Sequence, residues 1–431
     1  MRLRTLVLGA LSALIIAGGL WFASLDKETR GLLTALPTNR DVLSWKQTQR
    51  EAAFRAMDRI PLLAKAATVT PSPTPLALPA GKPLEIPGIG DYMRTQNTAG
   101  LVILQDGEIR FERYGLDFDA AGRWTSFSVA KSFTSTLVGA AIQDGHIKSL
   151  EDKVSQYIPG LRGSAYDDVT IRQLLTMSSG VRWNEDYEDP NADVAQFNNA
   201  TPDAGVDATV SYLRKLPRAH PPGEVWNYNT GETNLIGVLV SSATGKPLTQ
   251  YLQEKIWHPA GMEATATWLL GRTGHEIAGC CLQAATRDFS RFGLFVLANG
   301  AVGGQQIVPP DWFAQATRKQ KDIGDPGRGY GFQWWTYDDG SVAPVTRSPV
   351  AVCRLRRAIS DASVSSCWPM VPRAASRSSR PTGSGKRRAN RKTSAIQGAA
   401  MASSGGPTTT ARSQPKVSSA RASTSTRSAG W

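Results

Sequence analysis

The sequence is poor in residues that bind metal ions or build disulfide scaffolds. Its 431 residues include four cysteines and four histidines, and no Cys-x-x-Cys, His-x-His or His-Glu-x-x-His spacing occurs. Because neighbouring cysteines rarely bridge each other, Cys280 and Cys281 are expected to be core residues rather than a disulfide. We therefore expect no disulfide framework, no metal site and no organic cofactor.

Acidic residues are almost missing from the end of the chain. Residues 346–431, which we call the basic tail, hold 16 Lys and Arg against the single acid Asp361, whereas residues 1–345 hold 33 Lys and Arg against 35 Asp and Glu. The body therefore has no excess positive charge for nucleic acid, and we expect no nucleic-acid partner. No convincing strand or helix pattern follows residue 345. A disordered tail and a shift of reading frame both explain this composition, and we favour the shift.

Charged residues are also absent from Leu6–Leu25, which follows Arg2 and Arg4. At ~1.5 Å per residue, a helix of this length spans about 30 Å, the thickness of the bilayer core. The positive flank favours a cytoplasmic N-terminus. We predict that residues 1–25 form a single-pass anchor in a bacterial-type inner membrane, with the body in the periplasm. Secretion after cleavage of a signal peptide is the alternative.

The remaining chain divides by composition. Residues 26–84 are expected to form a helical stalk and a stiff, proline-rich linker that lifts the body off the membrane. Residues 85–345 are expected to form one α+β domain, because strand patterns near both of its ends enclose a long helical stretch. Gly100–Gln105 and Glu108–Tyr114 flank Asp106-Gly107, a dipeptide typical of tight hairpin turns.

Ser128 and Lys131 form the first motif with chemical meaning. Positions i and i+3 share one face of a helix, and the apolar pattern from Ser126 onward is helical. A buried lysine loses basicity and can then deprotonate a serine, and a helix start can stabilise an oxyanion. A Ser-x-x-Lys occurs by chance about once in a chain of this length; Ser413–Lys416 is such a match. The motif alone therefore does not identify a catalytic serine, and the surrounding sequence has to be considered.

That context comes from four further stretches of sequence. Val169–Gly180 is followed by Pro222–Gly237, which contains Tyr-Asn-Thr-Gly-Glu-Thr-Asn-Leu, and then by Gly279–Leu282 and Arg287–Gly293. In this order the motifs resemble the serine β-lactamase and penicillin-binding-protein superfamily on its class C and esterase side, particularly the 6-aminohexanoate-dimer hydrolase-like members. The resemblance covers roughly residues 85–345. It implies an antiparallel sheet flanked by helices, together with an all-helical region.

The resemblance also implies roles for individual residues. Ser128 would be the acylated nucleophile, Lys131 its base or proton relay, and Tyr228 a second base that protonates the leaving group and later activates water. Thr230 stands where the family has an asparagine two residues after the tyrosine, which weakens the case for a β-lactam substrate. Candidate substrate-binding residues are Thr230, Asn229, Asn234, Trp183 and Tyr187, with Asp186 beside them.

The family's third motif is missing. A Lys-Thr-Gly, His-x-Gly or related triad on an inner strand should follow Gly329–Gly340 and complete the oxyanion hole, but only Lys392-Thr393-Ser394, amid arginines, resembles it. The C-terminal part of the sheet is therefore expected to be missing. Ser-His-Asp chemistry is disfavoured because no Gly-x-Ser-x-Gly occurs. The sequence predicts a serine hydrolase that cleaves small amides or esters; the alternative is an inactive, membrane-anchored pseudoenzyme that binds peptide-like ligands.

Overall fold

The computed structural model describes residues 2–37, 39, 42–59, 65–344, 353–357 and 363–367. Within them the helices are α1 (Arg2–Ser24), α2 (Lys27–Thr34), α3 (Gln47–Arg55), α4 (Ile89–Thr95), α5 (Ala130–Gln143), α6 (Val154–Tyr157), α7 (Ile171–Leu175), α8 (Asp193–Asn199), α9 (Ala208–Leu213), α10 (Thr230–Thr244), α11 (Leu248–Leu252), α12 (Thr286–Leu297) and α13 (Trp312–Ala316). Short 3-10 turns lie at Val42–Ser44, Met57–Arg59, Phe127–Val129 and Pro159–Leu161, and a π turn lies at Gln253–Trp257.

The strands form two antiparallel sheets and two hairpins. They are β1 (Lys65–Val69), β2 (Gly100–Gln105), β3 (Glu108–Tyr114), β4 (Trp124–Thr125), β5 (Ala266–Leu270), β6 (Leu282–Ala284), β7 (Ala301–Val302), β8 (Gln305–Gln306), β9 (Lys321–Asp322), β10 (Arg328–Tyr330), β11 (Trp334–Tyr337), β12 (Ser341–Pro344), β13 (Cys353–Arg357) and β14 (Ser363–Cys367). One sheet has the order β1-β5-β6-β4, the other β14-β13-β12-β11-β10-β9, and β2-β3 and β7-β8 are the hairpins. The expected combination of helices with antiparallel sheets is confirmed.

The hairpin β2-β3 has the predicted bounds. Asp106 and Gly107 both have positive φ, 55° and 81°, and the last strand pair is Gln105 with Glu108. Two successive residues with positive φ are what a type I′ turn requires, and aspartate followed by glycine adopts it at low cost. A local sequence signal therefore suffices to set this element.

Helix α5 lies at the centre of the domain, and its small residues explain how. Ala130 to Ala141 are all buried, so the helix is buried around its whole circumference rather than on one broad face. Its hydroxyl groups bond to backbone carbonyls of neighbouring segments: Ser132 to Gln333 at 2.8 Å and Ser135 to Phe332 at 2.6 Å. These bonds satisfy buried polar groups and fix the helix against the loop before β11.

The apolar helix α1 differs from the rest. Leu6–Ser24 is long and apolar enough to cross a membrane and none of it is buried against the remainder of the chain. An N-terminal signal sequence passes the same test.

The segment expected to be a stalk packs against the body. Leu32, Trp45 and Phe54 share one apolar cluster with Phe118 and Trp124. Arg55 donates hydrogen bonds to the carbonyls of Leu116 and Asp117, both at 3.0 Å, and Asp58 forms a largely buried ion pair with Arg123 at 2.7 Å. This arrangement differs from the expectation of a separate stalk. The apolar residues of α2 and α3 are buried against apolar residues of the domain, which removes more apolar surface from water than a separate stalk would.

The proline-rich segment is extended, as expected, but it also runs along the body. Strand β1 pairs with β5 over five residues, Leu76 N–H donates to the carbonyl of Gly261 at 2.8 Å, and Leu84 N–H donates to that of Arg110 at 2.7 Å. Prolines hold the chain extended but leave intervening N–H groups free to bond to the domain. Residues 65–84 are therefore attached rather than a free spacer.

Strands β13 and β14 lie within the basic tail. β13 pairs with β12, and β14 pairs with β13. The composition of the tail predicts no strand there, so the sheet extends further than expected. The edge of β12 would otherwise present unpaired backbone groups, which any extended segment can satisfy. The remaining tail residues, including Lys392-Thr393-Ser394, lie outside the described residues, and the proposals of disorder or a shifted frame remain predictions.

Candidate active site

Ser128 and Lys131 lie at the start of α5. Ser128 is in the 3-10 turn that leads into the helix and is half-buried, whereas the side chain of Lys131 is completely buried. Lys131 Nζ donates to Ser128 Oγ at 3.3 Å and to the carbonyl oxygen of Gly279 at 2.7 Å. The predicted i, i+3 pair is therefore brought together, and a second contact from a distant segment directs the lysine at the serine.

Tyr228 approaches the same oxygen from another element. Its hydroxyl donates to Ser128 Oγ at 3.1 Å, and Lys131 Nζ lies 5.4 Å from the centroid of its ring. Tyr228 precedes α10 by two residues and is 2% exposed. The three residues predicted to be catalytic thus meet at one hydroxyl, although Tyr228 and Ser128 are 100 residues apart in sequence.

Aromatic packing holds the Tyr228 ring in place. Trp335 stacks on it with ring centroids 6.1 Å apart and an interplanar angle of 9°, and Trp226 and Tyr330 pack beside this pair. Buried aromatic rings of this size have few alternative positions, so the hydroxyl stays directed at Ser128.

Glu185 holds the turn between Tyr228 and α10. Its carboxylate accepts the backbone N–H of Thr230 at 2.9 Å, the Tyr187 hydroxyl at 2.6 Å, and further bonds from the Thr230 hydroxyl and the Trp183 indole. Glu185 is 6% exposed. Nothing in the sequence marks it except its position between Trp183 and Tyr187, so it was missed.

The predicted substrate-binding residues have structural partners of their own. Asn229 caps α10 by accepting the N–H of Glu232 at 3.0 Å, and Asn234 accepts the N–H of Gly279 at 2.9 Å. Both asparagines are buried, whereas the Tyr187 side chain is 47% exposed. Asp186 is exposed and accepts the N–H of Glu188 at 2.9 Å. A role for these residues in binding substrate stays a prediction.

Behind the site, Glu232 is a buried carboxyl group. It accepts hydrogen bonds from Ser179 and, at 3.3 Å, from the Tyr166 hydroxyl. Burial raises the pKa of Glu232 from 4.5 to about 8, against the opposing effect of these two hydrogen bonds. Burial also raises the pKa of Tyr166 well above its usual value, and the neighbouring Glu232 raises it further. The Glu232 carboxyl is therefore protonated and neutral at pH 7.

Several residues around the site have backbone angles that are rare outside glycine. Phe127, Met177, Cys281 and Gln333 have φ of 44°, 51°, 72° and 64°. Phe127 precedes the serine, and Met177 packs against Tyr228. Such conformations persist only where surrounding contacts enforce them, and they cluster at functional sites.

Cys280 and Cys281 form a disulfide with each other. The expectation that they are unbridged core residues is therefore wrong. The pair is half-buried and lies in a turn in which Cys281 has positive φ. A tight turn brings the sulfur atoms of adjacent cysteines close enough to bond, whereas an extended or helical backbone holds them apart.

The described residues contain no group of three or more His, Cys, Asp or Glu side chains arranged to hold a metal ion. The segment in which the family's third motif would follow β12, residues 345–352, lies outside the described residues. At the start of α5, Val129 N–H donates to the carbonyl of Ser126 at 3.1 Å and Ala130 N–H donates to that of Phe127, so both groups already have backbone acceptors.

Comparison with known proteins identifies the family. A family model described as Beta-lactamase matches residues 89–384, which is more than half of the chain. A 6-aminohexanoate-dimer hydrolase from Paenarthrobacter ureafaciens is 27% identical over 264 residues, covering 58% of this chain and 67% of the relative. A β-lactamase from Pseudomonas fluorescens is 28% identical over 182 residues, covering 40% of this chain and 47% of the relative.

A solved structure has the same fold. A Bacillus anthracis protein assigned as a 6-aminohexanoate-dimer hydrolase superposes with a TM-score of 0.64 at 23% identity, covering 74% of this chain and 89% of that one. The chain spans about two thirds of the Paenarthrobacter hydrolase and about half of the Pseudomonas β-lactamase. From the extent of the family match, together with this likeness in fold, we conclude that the chain belongs to the β-lactamase family of hydrolases.

Proposed function

We propose that this protein is a serine hydrolase that cleaves small amides or esters through an acyl-enzyme on Ser128. The observation that carries the proposal is the meeting of Lys131 Nζ and the Tyr228 hydroxyl at Ser128 Oγ, at 3.3 and 3.1 Å. A serine hydroxyl is a weak nucleophile, and a buried amine or phenolate within hydrogen-bond reach is what activates it.

In the proposed reaction, Ser128 Oγ attacks the substrate carbonyl carbon while its proton passes to the neutral Lys131 amine or to Tyr228 as phenolate. The leaving amine or alcohol takes that proton from Tyr228, directly or after its transfer from Lys131, as the bond to the acyl carbon breaks. A water molecule then attacks the acyl carbon and gives a proton to the same pair, which returns it to Ser128 Oγ as the bond between Oγ and the acyl carbon breaks and the acid leaves. The positive end of the α5 dipole, beside Ser128, stabilises the oxyanion.

The proposed substrate class is a short linear amide or ester. The relative from Paenarthrobacter is named for a 6-aminohexanoate dimer, a linear amide. In this chain Thr230, whose hydroxyl and N–H both bond to Glu185, replaces the asparagine of the family motif. We therefore infer that a linear amide or ester is a better substrate than a β-lactam.

The proposed location is outside the cytoplasm, with α1 as a membrane anchor. The apolar length of α1 supports this proposal, and so does the Cys280–Cys281 disulfide, because disulfides persist in oxidising compartments. Cleavage of α1 as a signal peptide remains the alternative.

The test is covalent labelling of the full chain by a fluorophosphonate probe, which reacts with activated serines. We expect Ser128→Ala to abolish labelling and Lys131→Ala to slow it by about 10²–10⁴-fold, as for loss of a general base. The matched control is Ser413→Ala, which alters the chance Ser-x-x-Lys match and should label at the wild-type rate.

Labelling that persists in Ser128→Ala would exclude the assignment, and a near-normal rate in Lys131→Ala would remove the lysine from the mechanism. The absence of the third motif supports a second candidate, a pseudoenzyme that binds peptide-like ligands without turnover. Saturable binding of a linear dipeptide amide by wild type, with no labelling of Ser128, would favour that candidate.

A further inference from the structure

The turn that holds the Cys280–Cys281 disulfide is anchored from beneath by β5. The Trp268 indole donates to the carbonyls of Ile277 and Cys280 at 2.9 and 2.8 Å. Leu269 N–H donates to the carbonyl of Cys281 at 3.2 Å, and Ile277 N–H donates to that of Leu269 at 2.8 Å. The sheet thus fixes the base of the turn.

The residues that flank the disulfide contact the Ser-x-x-Lys motif from both sides. On one side, the carbonyl of Gly279 accepts a hydrogen bond from Lys131 Nζ at 2.7 Å. On the other side, Leu282 and Ser126 are joined twice: Ser126 N–H donates to the carbonyl of Leu282 at 2.7 Å, and Leu282 N–H donates to Ser126 Oγ at 3.1 Å. The disulfide therefore lies between a contact to the base and a contact to the serine-bearing turn.

Gly279 has little freedom to shift. A Cβ at this position would lie 2.9 Å from Thr230 Cγ2 and 3.3 Å from Lys131 Nζ, and its N–H is held by Asn234. Its carbonyl direction is set by the peptide that leads into Cys280. Cys281 has a φ of 72°, which a residue with a side chain adopts only under constraint. The covalent ring between the two cysteines is one such constraint, in addition to the bond from Leu269 N–H to the carbonyl of Cys281, and reduction removes it.

We propose that Cys280 and Cys281 are positioning residues, and that their disulfide holds the Gly279 carbonyl against Lys131 and so sets the rate of Ser128 acylation. This inference rests on the proposed function. Its consequence is redox sensitivity: a dithiol reductant converts Cys280 and Cys281 to two thiols while its own two thiols become a disulfide. Both cysteines are half-buried rather than fully enclosed, so a small reductant can reach them.

The experiment measures fluorophosphonate labelling of Ser128 in the full chain, purified in detergent, before and after reduction by dithiothreitol. We expect reduction to slow labelling by roughly tenfold or more, since small displacements of a catalytic group have effects of up to about 10². Reoxidation by oxidised glutathione should restore the rate. Cys280→Ala/Cys281→Ala should be slow under both conditions, whereas the control Cys353→Ala/Cys367→Ala should respond like wild type.

The dependence of the labelling rate on probe concentration separates positioning from mere stabilisation. Lys131 acts on Ser128 and not on the probe, so its displacement should lower the maximal labelling rate and leave the half-saturating probe concentration unchanged. A lower thermal midpoint with an unchanged maximal rate would overturn the inference. So would equal labelling before and after reduction, or alkylation of Cys280 and Cys281 without any reductant. No labelling of Ser128 in either state would instead contradict the proposed function, and with it this inference.

Discussion

At the scale of single residues, the site depends on buried groups that hold other groups in place. Lys131 has its direction set by Gly279, and the segment that carries Tyr228 is held by two hydrogen bonds from Thr230 to Glu185, which also accepts bonds from Trp183 and Tyr187. A buried acceptor with several donors loses little on desolvation, and it restricts the positions of all its donors at once. Preorganisation of this kind lowers the reorganisation needed during reaction.

Glu232 gives a prediction on pH dependence. Its pKa is raised to about 8 in the folded chain, so between about pH 4.5 and 8 the folded state binds one more proton than the unfolded state. The free energy of unfolding should therefore fall as pH rises through this range, by up to about 1.4 kcal/mol per pH unit from this group. In Glu232→Gln, which resembles the protonated acid, that decrease should be absent.

The measurement is urea denaturation of wild type and Glu232→Gln from pH 4 to 9. Asp288 also has a pKa raised, by burial, to about 6, so the wild-type profile contains both groups and the difference between the two proteins isolates Glu232. Parallel profiles across the whole range would show that the Glu232 carboxyl is charged in the folded chain.

At the scale of elements, α3 is a support for the nucleophile turn. The Phe54 ring meets the Phe127 ring edge to face with centroids 4.8 Å apart, and meets Trp124 at 5.9 Å. Phe127 directly precedes Ser128 and has a positive φ. The N-terminal segment that carries α3 thus contacts the residue whose unusual backbone conformation presents the serine.

We expect Phe54→Ala to lower the free energy of unfolding by about 3–5 kcal/mol, because it leaves a cavity in a packed cluster. It should also slow labelling of Ser128, since Phe127 loses its edge-to-face partner. The matched control is Leu32→Ala, which removes another buried side chain of the same cluster on the same segment. It should lower stability while leaving the labelling rate close to that of wild type.

Both readouts come from the full chain: urea denaturation for stability and fluorophosphonate labelling for the site. If Phe54→Ala and Leu32→Ala lose stability and label at equal rates, α3 covers apolar surface only and does not position Ser128.

At the scale of the whole molecule, the body and the basic tail differ in net charge. Residues 1–345 are close to neutral, whereas the tail carries 16 of the 49 basic residues and one acid. The family match nevertheless continues to residue 384, and β13 and β14 lie in the sheet. The C-terminal end of the domain is thus the part in which composition and fold differ most.

The test is to resequence the coding DNA across codons 335–431 and to translate it in all three frames. We expect the C-terminal end of the domain to be encoded in a frame other than the present one. That frame should encode alternating apolar strands, a glycine-containing triad and an amphipathic helix, which would cover the sheet and complete the oxyanion hole. If no frame does, the tail is native, β13 and β14 belong to the mature fold, and the pseudoenzyme becomes the favoured function.

The sequence by itself determined the features that depend on neighbours in the chain. The hairpin follows from Asp106-Gly107, the shared helix face of Ser128 and Lys131 from their spacing, and the apolar helix α1 from its composition. The order of the motifs was enough to recognise the family and to select Tyr228. In each case the physical cause is local: a turn conformation, a helical period or an uninterrupted apolar run.

Only the tertiary structure decided which distant groups meet these residues. Lys131 and the Gly279 carbonyl are 148 residues apart, and Thr230 and Glu185 are 45 apart. The packing of Phe54 on Phe127 and the bridge between Cys280 and Cys281 also escaped prediction. A hydrogen bond or an apolar contact requires proximity in space but no particular spacing in sequence, and a bridge between adjacent cysteines requires a backbone turn that its surroundings impose. Such contacts therefore become visible only once the chain is folded.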